Sequence, residues 1–504
     1  MRLFFAAAAV LAAVLLAAPL PARAALPLVI PRPKQMTASD APFRITSATR
    51  IVVADSATAQ DKQGAEILRA EIKARFGRDV PLVRARDASV RQGVNVIAIG
   101  NGERNALLTR LRAAERLAVP NKPEGYALLV TPRAVLVAGR DARGAFWGTQ
   151  TLLQLLAPDA GGPQVQPVKI SDWPTLSVRA VHLFHGKNAR PFHEKLIGRV
   201  LSRFKMNAVF LQAEQLRWDA DPAVAPAWAG SKADVKAEIA HAAKRNVTVY
   251  PLVQGMGHME WLFARPQNRA FAEDEETPYA LNVTNPAALT YLGRFLTEAD
   301  DLFDAPAFHV GLDEVTMRGR FPHRSQGKTF ADLFLTGARH WHDLFAKRGK
   351  PIWMWADMLL YAPEVAPSFG TAPTAEDAAR LRRELPKNIV MVDWQYSPRP
   401  RYPSLNVLKE AGFSVVAATW YDPDGIRQFS RAAAEVGALG AMQTTWAGYE
   451  SKETVLDTEH RKQFTAMVLA ADYFWNGGDG PAPADLPYNA NEVFTRAYEG
   501  PTRE

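Results

Sequence analysis

The sequence contains no cysteine, which excludes disulfide bonds, thiol nucleophiles and cysteine-ligated zinc sites. It also has no run of lysine and arginine with interleaved aromatic residues, so the net charge of +8 does not indicate a nucleic-acid-binding protein. No repeat of solenoid length is visible. The remaining composition is that of a globular protein, 48% hydrophobic and 22% charged over 504 residues, which is long enough for two or three domains with large cores.

A long apolar run opens the chain. Residues 3–20 are rich in alanine and leucine, Arg2 precedes them, and residues 22–24 form a small-x-small motif. This pattern is typical of a secretory signal peptide with cleavage after Ala24, although the run is nearly long enough for an uncleaved membrane anchor. Export of a chain without disulfides favours a bacterial periplasmic or secreted location, with no stable membrane insertion after cleavage.

The composition changes near residues 170–174, and eleven of the twelve tryptophans lie after residue 170. Residues 25–170 therefore form a separate predicted unit, a small α/β (α+β) N-terminal domain without a catalytic cluster. Its predicted elements are strands 50–53 and 94–99, a helix 59–76, a hairpin of 126–130 with 134–138, and a helix 144–156.

Residues 171–504 alternate short apolar runs with helix-like stretches. The runs are residues 177–184, 207–212, 247–253, 307–313, 351–357, 388–394, 413–420 and 439–446. The helix-like stretches are residues 193–204, 232–245, 286–302, 330–347, 375–384, 403–411, 426–436 and 454–473. Eight such units predict a TIM (β/α)₈ barrel, whose strands are buried on both faces. The alternative is an open doubly wound sheet, but the glycine-rich phosphate turn typical of such sheets is absent.

The carboxyl ends of the predicted barrel strands carry acids, amides and aromatic rings, and active sites of such barrels lie at this end. Indole rings stack on the C–H faces of sugars, and carboxylates and amides bind hydroxyl groups, so this set indicates a carbohydrate site. A phosphate site would instead need glycine, lysine and arginine. The strand-end residues are His185, Gln212, Gln254, Asp313-Glu314, Trp355 with Asp357, Trp394, Trp420-Tyr421-Asp422 and Trp446.

The adjacent acids Asp313 and Glu314 end an apolar strand, so both lie at the edge of the barrel core. Repulsion and partial burial favour a raised pKa for one of them, which could then donate a proton to a glycosidic oxygen. A second carboxylate acting from across the sugar is usual in glycosidases, but adjacent residues cannot straddle a sugar ring. The pair instead predicts one proton donor and one helper on the same side.

The segment 308–315, Phe-His-Val-Gly-Leu-Asp-Glu-Val, resembles the His-x-Gly-Gly-Asp-Glu signature of family-twenty β-N-acetylhexosaminidases. Further segments resemble the same family in the same order along the chain. These are residues 124–128 and 144–154 of the N-terminal domain, 251–258, which end in Gly-His, and 281–286.

The resemblance implies a hydrolase that removes terminal β-linked N-acetylhexosamine, either GlcNAc or GalNAc, from an amino-sugar oligosaccharide or glycoconjugate. It also implies substrate-assisted retaining catalysis, in which the 2-acetamido oxygen of the substrate attacks the anomeric carbon. By match, Glu314 is the general acid and base, and Asp313 orients the acetamide group. The implied substrate-binding residues are Arg190, His258, Trp355, Trp394, Tyr421, Trp446 and Glu450. A purely structural histidine in a tight turn is the alternative for His258.

The chain departs from the family pattern in three places. Leu312 stands where the family has glycine, and the first strand lacks the family's Asp and Arg, whose role Arg190 could fill. The second strand carries Phe210-Leu-Gln212 in place of His-x-His. The preferred sugar and linkage therefore stay open.

Two other functions fit the sequence. One is a catalytically silent carbohydrate-binding protein on the same barrel, since fold does not fix function. The other is a glycosidase with a separate carboxylate nucleophile, either Asp357 or Asp422. For the enzyme we expect no metal or redox cofactor, because the histidines near the barrel mouth lack a tight ligand pattern in the sequence.

Overall fold

The computed structural model describes residues 26–449 and 452–500. The predicted signal peptide, with its cleavage after Ala24, and Glu450 lie outside the described residues. Among the residues that are described, no helix is both long and apolar enough to cross a membrane.

The N-terminal domain contains a seven-stranded sheet and a small three-stranded sheet. The strands of the domain are β1 (Gln35–Ala38), β2 (Phe43–Arg44), β3 (Arg50–Val53), β4 (Leu82–Arg84), β5 (Val96–Asn101), β6 (Tyr126–Val130), β7 (Ala134–Gly139), β8 (Leu156–Ala157), β9 (Gln164–Val165) and β10 (Val168–Asp172). Its helices are α1 (Ala59–Phe76), α2 (Ala106–Ala114) and α3 (Ala142–Gln154). The order in the large sheet is β1-β10-β6-β7-β5-β3-β4, and β2, β9 and β8 form a separate small sheet. Parallel pairing of β3, β4, β5 and β7 combined with antiparallel β6, β10 and β1 gives the predicted mixed α/β domain.

Local sequence signals explain the helices of this domain. In α1, Thr58 and Asp61 form a capping box at the amino end, and Gly77, with φ of 66°, ends the helix in the left-handed conformation that glycine favours. The helix α3 is buried along most of its length and packs against α1 and the sheet.

Residues after Asp172 form the second domain. Its strands are β11 (Val178–Phe184), β12 (Ala208–Gln212), β13 (Thr248–Leu252), β14 (Phe308–His309), β15 (Ile352–Trp355), β16 (Val390–Trp394), β17 (Ser414–Thr419) and β18 (Gly440–Gln443). Its helices are α4 (Ala189–Leu196), α5 (Lys232–Ala243), α6 (Glu260–Phe263), α7 (Pro286–Phe303), α8 (Phe330–Lys347), α9 (Ala375–Glu384), α10 (Pro403–Glu410), α11 (Pro423–Glu435), α12 (Arg461–Asn476) and α13 (Ala490–Glu499).

The eight strands β11 to β18 are all parallel and close into a barrel, with β11 paired to β18. This closure confirms the predicted (β/α)₈ architecture. Large side chains fill the barrel interior: the ring of Phe210 lies 4.8 Å from that of Tyr250 and 4.8 Å from that of Trp353. A filled interior leaves the carboxyl ends of the strands as the place where a ligand can enter.

The strand that differs most from the prediction is β14. The apolar run 307–313 predicts a full strand, but β14 ends at His309. The backbone leaves the extended conformation at Gly311 and Leu312, which both have positive φ angles. The hydrophobic pattern that marks a buried strand marks a buried turn equally well, because both segments lie in the core.

Asp172 joins the two domains. Its Oδ2 accepts hydrogen bonds from the Tyr126 hydroxyl at 2.7 Å and from Lys205 Nζ at 3.2 Å, and its Oδ1 accepts one from Trp475 Nε1 at 2.9 Å. All four side chains are fully buried. Removing one partner of a buried ion pair strongly destabilises the folded protein, because the other charge is left without a partner. We infer that this cluster holds the barrel against the first domain.

Candidate active site

Asp313 and Glu314 lie at the barrel mouth, directly after β14. Gly311, Leu312 and Glu314 have φ angles of 67°, 72° and 49°. These left-handed residues turn the chain, so that two successive carboxylates reach the same cavity instead of alternating as they would in a strand. Glycine accepts this conformation readily, whereas a non-glycine residue such as Leu312 adopts it at a cost of roughly 1–3 kcal/mol. The Leu312 side chain is fully buried, and its packing holds the turn.

His258 lies between the two carboxylates. Its Nε2 atom is 3.4 Å from Asp313 Oδ2 and 3.4 Å from Glu314 Oε2. Burial opposes a charge on this imidazole, but the two carboxylates outweigh burial and raise the pKa of His258 to about 11. Burial likewise opposes ionisation of Asp313, but His258 and the surrounding hydrogen bonds hold its pKa below the usual value. At neutral pH the site therefore contains an imidazolium beside an ionised Asp313.

Gln254 fixes the Asp313 carboxylate. Its Nε2 donates to Asp313 Oδ1 over 2.9 Å, and its Oε1 accepts the backbone N–H of Leu312 over 3.2 Å. The backbone N–H of Gln254 in turn donates to Glu214 Oε1 over 2.9 Å. A Cβ atom at Gly311 would lie 1.8 Å from the Gln254 amide oxygen, so this arrangement requires glycine there.

Asp357 supports the pair from the β15 side. Its Oδ2 accepts the backbone N–H of Glu314 over 3.0 Å and the hydroxyl of Thr371 over 2.5 Å. The carboxyl group is buried, and burial together with the charge of Asp313 raises the pKa of Asp357 to about 7. Asp357 does not line the cavity. Its position is therefore suited to holding Glu314, not to attacking a bound sugar.

Aromatic rings enclose the other side of a cavity of about 360 Å³. Trp446 Nε1 donates a hydrogen bond to the Tyr396 hydroxyl over 3.1 Å. The Tyr396 ring also stacks on Trp394, with ring centroids 5.1 Å apart. Burial raises the pKa of Tyr396 above its ordinary value, so its hydroxyl keeps its proton. The cavity is lined by His258, Asp313, Glu314, Trp355, Trp394, Tyr396, Trp420 and Trp446.

Two residues that the sequence assigns to the sugar lie elsewhere. Arg190 is on α4, where it pairs with Glu194 at 2.7 Å and reaches Asp234 at 3.6 Å. Tyr421 does not line the cavity. Its ring centroid lies 4.3 Å from that of Trp420, and the Lys462 ammonium lies over the ring, 4.2 Å from its centroid.

Tyr396 and Trp420 also line the cavity. The sequence analysis placed Trp420 in the strand-end set but not among the substrate-binding residues, and it did not name Tyr396. Tyr396 follows Trp394 by two residues. That spacing after a strand end is a signal that both side chains could face the same side, and it could have pointed to Tyr396. Trp420 is recognisable from its strand-end position alone.

Some histidines lie closer to acidic side chains in the structure than their spacing in the sequence indicates. Within residues 26–449 and 452–500, two groups of three side chains hold possible ligand atoms within 4.8 Å of one another. One is His258 with Asp313 and Glu314, in the cavity. The other is fully buried and comprises His185, His193 and Glu238.

Comparison with known proteins places the chain among carbohydrate-active proteins. Residues 26–173 match the model of glycosyl hydrolase family 20, domain 2, and residues 213–467 match the model of the catalytic domain of that family. The second match alone covers half of the chain, and it includes every residue that lines the cavity.

Two relatives and one solved structure illustrate the similarity. A β-hexosaminidase of Porphyromonas gingivalis is 25% identical over 57% of this chain and 38% of its own length. A lacto-N-biosidase of Bifidobacterium bifidum is 25% identical over 48% of this chain and 23% of its own length. The chain thus spans well under half the length of these relatives. The structure of a β-N-acetylhexosaminidase from Streptomyces coelicolor superimposes with a TM-score of 0.65 at 19% identity, covering 94% of this chain and 96% of the other, and so shows the same fold.

Proposed function

The chain belongs to glycosyl hydrolase family 20, and from that premise we propose that it removes terminal β-linked N-acetylhexosamine by substrate-assisted retaining catalysis. The substrate would be an amino-sugar oligosaccharide or glycoconjugate carrying GlcNAc or GalNAc. The observation that carries the proposal is the arrangement of Asp313, Glu314 and His258 on one side of a cavity whose other walls are aromatic.

In the first step, the acetamide oxygen of the substrate attacks the anomeric carbon while Glu314 donates its proton to the departing glycosidic oxygen. The products are an alcohol and a cyclic oxazolinium ion. In the second step, the Glu314 carboxylate takes a proton from water, the water oxygen attacks the anomeric carbon, and the ring opens to restore the acetamide. Two inversions at the same carbon retain the β configuration.

Asp313 is suited to the acetamide group. Gln254 fixes its carboxylate, and His258 holds it ionised, so it can accept the acetamide N–H and stabilise the positive charge that forms in the oxazolinium ring. The Tyr396 hydroxyl, which lies in the cavity wall, would donate to the acetamide oxygen. The indoles of Trp355, Trp394 and Trp446 would then surround the acetamide methyl group.

The mechanism with a separate nucleophile gains no support from the described residues. Asp357 is buried and engaged with Glu314, and Asp422 caps α11 by accepting the backbone N–H of Gly425 over 2.8 Å. Among the residues that the structure describes, the carboxylates that line the cavity are Asp313 and Glu314. They share one side of it, and this arrangement supports the proposal that the internal acetamide is the nucleophile.

The test is hydrolysis of a panel of chromogenic β-glycosides by the purified protein. We expect turnover of the β-N-acetylglucosaminide or β-N-acetylgalactosaminide and none of the β-glucoside. Binding of N-acetylglucosamine without turnover of any substrate would support a silent carbohydrate-binding protein instead. Efficient turnover of the plain β-glucoside, with a covalent glycosyl-enzyme trapped by a fluorosugar, would support a separate nucleophile.

A further inference from the structure

A second cluster of titratable groups lies at the start of the barrel, where the sequence departs from the family pattern. His185 follows β11 directly, His193 lies in α4, and Glu238 lies in α5. All three side chains are fully buried. None of the three lines the cavity of the proposed active site, so the proposed reaction gives no reason for them.

Hydrogen bonds satisfy this cluster only in part. His193 Nδ1 lies 3.1 Å from each carboxylate oxygen of Glu238. His185 Nδ1 is 3.3 Å from Glu238 Oε2, but it has no hydrogen-bond partner among the described residues. A buried polar atom without a partner costs about 1–3 kcal/mol, and an ion is one of the partners that can satisfy it.

Two of the three separations between these atoms match those of metal ligands, and all three atoms lie within 4.8 Å of one another. Zn²⁺ binds histidine nitrogen and carboxylate oxygen at about 2.0–2.2 Å in tetrahedral geometry, which puts any two ligand atoms about 3.3 Å apart. The distances from Glu238 Oε2 to His193 Nδ1, 3.1 Å, and to His185 Nδ1, 3.3 Å, lie close to that value. The two imidazole rings are inclined at 64° with centroids 5.8 Å apart, so they converge without stacking.

The ligand types also suit such an ion. Imidazole nitrogen and carboxylate oxygen are both ligands that Zn²⁺ prefers in proteins, and two histidines with one glutamate offer three of the four positions of a tetrahedral site.

We propose that His185, His193 and Glu238 form a structural binding site for a divalent transition-metal ion, with zinc as the preferred ion. The ion would join the end of β11 to α4 and α5, and so fix the first barrel strand from outside the catalytic cavity. In a chain without cysteine, such a site replaces the crosslinks that the sequence excludes. The inference does not depend on the proposed glycosidase activity.

The experiment measures metal binding by the mature protein. The protein is stripped with a chelator, titrated with Co²⁺ under visible absorption spectroscopy, and analysed for zinc by mass spectrometry after reconstitution. We expect one equivalent of ion per chain and the d–d absorption of a tetrahedral cobalt site. His193→Gln and Glu238→Gln should each weaken Co²⁺ binding about 100-fold or more, because each removes one of three protein ligands.

His258→Gln is the matched control, since it removes the histidine of the other three-residue cluster and should leave the cobalt spectrum and the stoichiometry unchanged. If the substituted proteins do not fold, anomalous scattering at the zinc edge from crystals of the unsubstituted protein decides the question. A peak between His185, His193 and Glu238 is expected. The proposal is wrong if the stripped protein takes up no ion, or if binding depends on His258 and not on His193.

Discussion

The backbone N–H of Glu314 donates a hydrogen bond to Oδ2 of Asp357 over 3.0 Å. Glu314 has a φ of 49°, a conformation that an L-residue rarely adopts without support. The bond therefore links Glu314, the strained residue that we assign as the general acid, to the buried carboxyl of Asp357, which follows the neighbouring strand β15. Asp357 holds Glu314 through the main chain and does not touch the cavity.

Asp357→Ala should lower kcat by about 10–100-fold with little change in KM, because it frees the Glu314 backbone and a displacement of about 1 Å suffices for such a loss. Asp357→Asn keeps an oxygen for the N–H of Glu314 and should recover most of the activity. Thr371→Val is the control, since it removes the other donor to Asp357 and leaves the bond to Glu314 in place. Equal rates for the alanine variant and the unsubstituted enzyme would contradict the assigned role.

Glu314→Gln should fold normally and lose about 10²–10⁴-fold in activity on an alkyl glycoside, since glutamine cannot donate an equivalent proton. An aryl glycoside with a good leaving group needs less help in the first step and should lose less. The measurement is kcat/KM for the two substrates side by side, with circular dichroism to check the fold. Undiminished hydrolysis of the alkyl glycoside would remove Glu314 from the mechanism.

Tyr396→Phe and Tyr421→Phe form a matched pair that tests which tyrosine contacts the substrate. Tyr396 lines the cavity, so Tyr396→Phe should lower kcat/KM about 3–10-fold, which is the usual effect of losing one hydrogen bond. Tyr421 lies outside the cavity, so kcat/KM of Tyr421→Phe should stay within about twofold of that of the unsubstituted enzyme. The opposite order would return the role to Tyr421.

Asp393 should make the protein less stable as pH rises. Burial raises its folded-state pKa to about 6, above the value of about 3.9 in an unfolded chain. The contribution of the neutral carboxyl to the free energy of unfolding is fully present below about pH 4. It falls by ~1.4 kcal/mol per pH unit as the pH rises from there, and it is lost above about pH 6. Asp393→Asn cannot titrate, so relative to the unsubstituted protein it should gain up to roughly 3 kcal/mol between pH 4 and pH 7.

Urea unfolding at pH 4.5 and pH 7.5 measures this difference. Ser404→Ala is the comparison variant, because it removes the hydrogen bond over 2.6 Å that opposes the effect of burial on the pKa of Asp393 but leaves the carboxyl in place. Its stability should therefore still fall as pH rises, in contrast to that of the asparagine variant. The asparagine variant should change its stability relative to the unsubstituted protein between the two pH values. An identical difference at both would show that Asp393 does not titrate in this range.

The sequence predicted the barrel because alternation of buried strands and helices is a local pattern repeated eight times. Strand ends identified six of the eight cavity-lining residues, with Trp420 among them, because a strand end fixes where the next residue lies, and His258 came from the family resemblance. The turn at Leu312 was not predictable, since an apolar residue in a left-handed turn has the same hydrophobic signal as one in a strand.

The remaining differences arise from contacts between residues distant in sequence. Arg190 seemed available for a sugar, but Glu194, one helical turn away, pairs with it on the surface of α4. The meeting of His193 with Glu238 depends on how α4 packs against α5, which no spacing in the sequence encodes.

The cavity predicts a strict dependence on the 2-acetamido group. Asp313 and Glu314 act from one side, so a plain β-glucoside has no internal nucleophile and should lose kcat together with kcat/KM. A thiazoline that mimics the cyclic intermediate should bind far more tightly than N-acetylglucosamine, because it resembles the high-energy species in place of the product.

Asp313→Asn separates this mechanism from simple recognition of the acetamide. Asparagine can still accept the acetamide N–H through its oxygen, but it lacks the charge that stabilises the oxazolinium ion. The variant should therefore bind N-acetylglucosamine almost normally, while its kcat and its affinity for the thiazoline fall together. Inhibition constants for both ligands, measured on the variant and on the unsubstituted enzyme, test this. If thiazoline and N-acetylglucosamine weaken in parallel, or if thiazoline never binds better than the sugar, Asp313 recognises the amide without stabilising a cyclic intermediate.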